Sequence, residues 1–178
     1  MSNLLKTDIN LSSYRNSGYM QISKDIETLT INAGTRGSYW TFNEELIMSP
    51  RISLAYAPIW EKDIVLRAAS GIYYQSPFYK ELRTAEGEIT NNIKSQKSTH
   101  YVIGADYLFY SWGRPFKWIT EIYYKKLENL IPYKVDNVRI QYLPNNISNG
   151  FANGIDIKIN GEFVNGVESW ASLSIMKT

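Results

Sequence analysis

The chain contains no cysteine. No disulfide framework and no thiolate metal site can therefore hold it, although this does not fix a compartment. It has one histidine, His100. Any hydroxyl–imidazole pair must use that residue, with Ser98 the nearest hydroxyl, and the plainer reading is a polar side chain on a strand face. Charge of one sign is also missing: 19 basic and 17 acidic residues are mixed along the sequence, with a net charge of +2. No basic stripe offers itself to nucleic acid. No run of about 18 apolar residues could cross a membrane as a helix. The opening Met1–Asp8 lacks the apolar centre of a signal peptide, so a secreted or outer-membrane destination implies an excised fragment. Gly150, Gly154 and Gly161 are not followed by the lysine–hydroxyl pair of a phosphate loop. Glu44, Glu45, Glu86 and Glu88 lack the spacing of a calcium loop. No catalytic residue, metal site or cofactor is expected, and 178 residues suit one domain.

What the chain does have is aromatic residues, 14% of the total with 14 Tyr and 5 Trp, and alternation. In 150–163, Ile155, Ile157 and Ile159 share one parity, while Asp156, Lys158, Asn160 and Glu162 share the other. On a strand these become an apolar and a charged face. The same pattern recurs in eight segments: 14–24, 28–42, 49–58, 63–75, 97–110, 115–127, 150–163 and 167–177. Leu66 and Ala68 oppose Arg67, Ile103 and Ala105 oppose Gly104 and Asp106, and Ile122 opposes Glu121. The connections read as alternately short and long, with 25–27, 59–62, 111–114 and 164–166 at one end of a meander. At the other end lie 43–48, 76–96 and 128–149. Short turns at one rim and long loops at the other fit an outer-membrane barrel. Aromatics cluster at both strand ends. Tyr56, Trp60, Tyr110, Trp112, Phe116, Trp118, Phe163 and Trp170 flank short turns; Tyr39, Trp40, Phe42, Tyr73, Tyr74, Tyr123 and Tyr124 lie toward the long loops. Two aromatic belts around an aliphatic band match the profile of a bilayer.

Several stretches also carry a family resemblance. Ser49-Pro50-Arg51-Ile52-Ser53-Leu54-Ala55-Tyr56-Ala57-Pro58 is one, and Gly71-Ile72-Tyr73-Tyr74-Gln75-Ser76-Pro77-Phe78-Tyr79-Lys80-Glu81-Leu82 is another. Gln96-Lys97-Ser98, Gly104-Ala105-Asp106-Tyr107, Tyr123-Tyr124-Lys125-Lys126-Leu127 and Asn153-Gly154-Ile155-Asp156 follow in order. From about residue 18 onward the chain resembles the barrel of TonB-dependent outer-membrane receptors, particularly their Bacteroidetes branch. The resemblance implies an all-β, antiparallel, up-and-down meander of about eight strands, an internal piece of a transmembrane barrel of about 22 strands. Residues 1–178 would then be a partial barrel domain without plug or signal peptide. The parent would import a scarce nutrient (a siderophore, metal chelate, glycan or peptide) with TonB-derived energy, across the outer membrane of a Gram-negative cell. Its partners would be outer-membrane lipid, a plug, TonB, a surface lipoprotein and the small ligand.

Two groups of side chains are candidates for function. Arg36, Arg67, Asp106, Glu121, Asp156 and Lys158 would line the lumen, where they meet either the plug or one another across strands. Gln75, Phe78, Tyr79, Lys80 and Arg83 combine aromatics with cations in a long loop, and would form an outer vestibule with 128–149 or pack on themselves. Two other architectures fit the alternation. One is a complete eight-stranded barrel with a structural or adhesive role; the other is a soluble β-sandwich binding module whose apolar rows meet in a core.

Overall fold

The computed structural model describes residues 11–84 and 87–178, omitting the side chains of Asp136 and Arg139. Eight strands form one antiparallel sheet: β1 (Arg15–Ile26), β2 (Leu29–Trp40), β3 (Glu45–Tyr56), β4 (Asp63–Gln75), β5 (Gln96–Ser111), β6 (Arg114–Leu130), β9 (Ser148–Val164) and β10 (Val167–Lys177). Each pairs with the next, and β6 pairs with β9 across an inserted hairpin of β7 (Tyr133–Asp136) and β8 (Arg139–Tyr142). The meander of eight is as expected. The sheet is open, with β1 and β10 as its edges, and no second sheet covers either face among the described residues. A closed eight-stranded barrel and a sandwich therefore do not describe it.

The predicted two faces are present. Arg67 stands opposite Gly104, and Gly104 opposite Glu121, which in turn stands opposite Asp156. Arg67, Glu121 and Asp156 thus share the inner face. On the outer face Leu54 stands opposite Ala68, Ile103 opposite Ile122, and Ile122 opposite Ile155. Leu54, Leu66, Ile103, Ile122, Leu173 and Ile175 all lie exposed there. In water such a continuous apolar wall would drive aggregation; against hydrocarbon it is at rest.

Two connections depart from expectation. β3 begins at Glu45, so the connection read as 43–48 is a tight turn over 41–44, with Glu44 at φ 54°. The segment 128–149 contains the β7–β8 hairpin, whose turn places Asn137 and Val138 at positive φ. The belts are also thinner than expected. Tyr39, Tyr74, Tyr101, Tyr124 and Phe151 share the outer parity toward the long loops, but Trp40 stands opposite Arg15 and Tyr73 opposite Ser98, both on the inner face. Tyr123 and Trp170 likewise share the inner parity, opposite Gly154 and Asn160. An aromatic near a strand end can satisfy either interface or lumen, and parity alone decides which.

β5, β6 and β9 have 16, 17 and 17 residues, beyond the roughly 9–11 that cross a bilayer. The surplus carries Lys97, Lys126 and Glu128 on the outer parity, where Glu128 pairs with both lysines at 3.2 and 3.0 Å. Charges of that parity are tolerable only above the hydrocarbon, so these strands project past the membrane on the loop side.

At the opposite rim the rings make a collar. Phe116 stacks on Phe109 at 5.6 Å and meets Phe163 edge-on at 5.2 Å. Phe116 is buried because its ring lies flat over the cross-strand partner Gly161. A Cβ at Gly161 would run into that ring, whereas one at Gly18, also on the outer face, meets nothing within 4 Å. Gly161→Ala should therefore lower the stability of the protein in detergent by about 1–3 kcal/mol, with Gly18→Ala near neutral in the same thermal unfolding measurement.

Candidate functional site: the inner wall and its outer rim

Gly104 organises the centre of the inner wall. Having no side chain, it leaves a gap between Arg67 on β4 and Glu121 on β6, its two cross-strand neighbours. The Arg67 guanidinium lies over it; a Cβ there would stand 3.3 Å from Nη2. From that position Arg67 donates to Asp106 Oδ1 through Nη2 at 2.7 Å and Nε at 3.1 Å. Its Nη1 lies 3.9 Å from Glu121 Oε2. Lys117 completes the group at 2.9 Å from Asp106 Oδ2. Of the predicted lumen residues, the structure brings Arg67, Asp106 and Glu121 together as a cross-strand network.

The other three stand apart. Arg36 donates to Ser17 Oγ at 3.0 Å. Lys158 sits over the Trp170 ring at 5.5 Å. Asp156 faces Glu121 directly across the β6–β9 pair, a like-charge juxtaposition that costs stability unless a cation joins it.

The outer rim holds the dry core. Trp40, Leu82, Ile93 and Ile131 are buried together, with Leu11, Phe42, Ile89 and Tyr142 packed against them. The segment 76–95 supplies Leu82 and Ile93, so it is a folded cap. It turns on a short 3₁₀ helix, Tyr79–Leu82, where the Glu81 carboxylate accepts the Phe78 N–H at 2.8 Å. Three side chains pin it to its neighbours. Glu45 accepts the Ser95 N–H at 2.9 Å and its hydroxyl at 2.6 Å. Asn43 donates to the Ile93 carbonyl at 2.8 Å. Asn146 accepts the Lys94 N–H at 2.7 Å and donates to the Lys94 and Asn129 carbonyls at 2.9 and 2.8 Å.

Sequence reading found none of those three ties, because each joins residues some fifty positions apart or spans a turn. Asn137 at a positive φ was the available signal for the missed hairpin, since asparagine favours such turns.

Of the predicted vestibule residues, Phe78 and Tyr79 remain 55% and 58% exposed while Leu82 beside them is fully buried. Lys80 lies over the Phe78 and Tyr142 rings at 5.8 and 5.3 Å. Gln75 ends β4 opposite Gln96, and Arg83 bridges to Ile89. The cap thus packs on itself through aliphatic side chains and presents its aromatics outward. On the inner face Ser98 and His100 are 2.7 Å apart, with the imidazole against Tyr73 at 4.6 Å. Nothing described orients the other ring nitrogen with a carboxylate, as nucleophile activation would require. Among the described residues no three His, Asp or Glu side chains converge on a metal-sized point.

The Arg67–Asp106 pair should behave as a unit. A double-mutant cycle with Arg67→Ala and Asp106→Ala should return a coupling of about 1–2 kcal/mol, reduced from a buried pair by the partial exposure of the arginine. Additive losses in unfolding would mean that the two do not interact.

Comparisons with known proteins agree with this architecture. Residues 3–176 match the family described as "TonB dependent receptor-like, beta-barrel". A comparison with curated proteins finds no match. Among solved structures, the siderophore receptor PirA from Pseudomonas aeruginosa superposes with a TM-score of 0.72 at 12% identity, over 93% of this chain and 32% of that one. The alcaligin outer-membrane receptor FauA from Bordetella pertussis gives 0.63 at 19% identity, over 92% and 30%. The FrpB iron transporter from Neisseria meningitidis gives 0.66 at 14% identity, over 93% and 26%. The chain thus spans about a third or less of the structures it resembles, and those relatives are receptors and transporters, not enzymes. The match reaches the receptor family as a whole, not its Bacteroidetes branch. An apolar outer face, a charged inner face and a loop cap at one rim are what this membership requires: the chain belongs to the TonB-dependent receptor β-barrel family, proteins of the Gram-negative outer membrane.

Proposed function

We propose that this chain forms part of the barrel wall of an outer-membrane receptor that imports a scarce nutrient with TonB-derived energy. The observation that carries the reading is the sorting of the sheet. Hydrocarbon-compatible rows face out, a polar network faces in, and a folded cap with exposed aromatics stands over one rim. A siderophore, metal chelate, glycan or peptide is the ligand class, and the superposed receptors named for siderophore, alcaligin and iron support its first members. Within that receptor residues 1–178 are a partial barrel domain, accompanied by a plug, TonB and a surface lipoprotein.

Phe78 and Tyr79 are the ligand's first contacts, together with Gln75, Lys80 and Arg83. Their exposure beside a rigid anchor is what a recognition surface needs: the backbone is fixed by Leu82, so little ordering entropy is lost when a ligand stacks on the rings. On the inner wall Arg67, Asp106 and Glu121 already have partners, so among them a plug contact is secondary. Asp156 and Lys158 are better placed to meet plug side chains.

In the full-length receptor, Phe78→Ala with Tyr79→Ala should weaken binding of the physiological ligand by about tenfold or more, with unfolding unchanged. Unaltered affinity would remove the vestibule role. In the same preparation, coupling above about 0.5 kcal/mol between Lys158 and a plug carboxylate supports the plug contact, and strict additivity removes it.

A further inference from the structure

The inner face is not uniform in charge. Around Asp106 cations and carboxylates are matched, but the β1–β3 side carries Arg15, Arg36 and Arg51, and none lies within 4 Å of a carboxylate among the described residues. Their partners are neutral. Arg36 meets Ser17, Arg51 reaches Gln21 Oε1 at 3.3 Å, and the Arg15 guanidinium lies over the Trp40 ring at 4.5 Å. A guanidinium has five N–H donors in a fork that fits carboxylate or phosphate, and single contacts to neutral groups leave most of them free.

The backbone around these arginines is shaped into a hollow. Arg51 stands between two cross-strand glycines, Gly34 on β2 and Gly71 on β4. A Cβ at Gly34 would lie 2.9 Å from the Met20 carbonyl, and one at Gly71 would lie 3.1 Å from the Arg51 Cβ. Just past Arg51 the wall parts. β3 pairs with β2 along its whole length but with β4 only from Arg51 to Tyr56. Pro50, which has no N–H to donate, sits where that pairing stops. The parted strands border a cleft of about 630 Å³, lined by all three arginines with Ser38, Ser49 and Gln75. Arg51 and Tyr73 also line a second cleft of about 440 Å³ beside Gln21 and Asn32. Phe78 of the cap also lines the larger one.

We propose that this arginine cup binds the anionic end, carboxylate or phosphate, of the solute that the receptor takes in. The proposal rests on the import reading above and narrows its ligand class to anionic solutes. Three cations converging on one cleft repel one another until an anion enters, and charge-assisted, bidentate contacts then replace single neutral ones. A plug carboxylate could supply the same chemistry, so the test separates the two sources.

Calorimetric titration of the full-length receptor in detergent with citrate, with pyrophosphate and with neutral maltotriose is the experiment. The wild type should bind the two anions and not the sugar. R36Q/R51Q should weaken anion binding at least about tenfold, the scale of one lost charge-assisted contact. R36K/R51K, which keeps charge but loses the fork, should fall between them with unfolding unchanged. No anion binding by the wild type, equal binding by R36Q/R51Q, or binding that emerges only after plug deletion overturns the proposal, the last by assigning the cup to the plug. Import is measured separately in cells. Normal import without arginine-dependent anion binding removes the cup alone; anion binding without import removes the import reading alone.

Discussion

A polypeptide that crosses hydrocarbon must satisfy every backbone N–H and C=O within itself, and this constraint shapes the whole sheet. Adjacent strands pair residue by residue through the aliphatic band, and on β4, β5, β6 and β9 the outer rows of Ile, Leu and Ala stay free of charge over that height. Among the described residues the chain has almost no interior of its own. Its few buried apolar side chains lie in the cap and under the Phe116 collar, not between layers of sheet. Stability at mid-height must come from ladder hydrogen bonds, from the inner network around Asp106 and from lipid on the other side.

Irregularity is confined to places where water is available. The β3–β4 ladder stops at Arg51, toward the loop rim, and segment 76–95 packs beside the parted ends with Glu45 anchoring Ser95. On the outer parity β5 and β6 carry charge only near their ends, Lys97, Lys126 and Glu128 toward the loops and Arg114 at the short-turn rim, and β9 carries none. On the inner face glycine does specific work. Gly104 makes room for Arg67 to reach Asp106, and Gly34 and Gly71 flank Arg51. Removing a side chain on one strand thus places a charge from the next.

Much of this was legible in the sequence because period-two alternation reports faces directly. The parities of Ile155, Ile157 and Ile159, and of Arg67, Asp106 and Glu121, carried over into the fold unchanged. Other features were not legible, for physical reasons. Trp40 and Tyr73 looked like belt residues because composition reports height along a strand but not which face a ring occupies. The cap's ties through Asn43, Glu45 and Asn146 depend on chain segments meeting at the rim, which no local pattern encodes. Arg15 and Arg51 are not legible as a site because isolated basic residues on strands look like solvated positions until neighbours show that no carboxylate faces them.

The central claim is that the Ile103 face meets lipid and the Val102 face meets a polar lumen. The segment contains no native cysteine, so single cysteines introduced at these adjacent positions in a cysteine-free receptor test it directly. A fluorophore at Ile103 should be quenched by nitroxide-labelled lipid, and the thiol there should resist a membrane-impermeant reagent. Val102 should show the reverse. Equal behaviour at the two positions, or lipid quenching at Val102, would contradict the account.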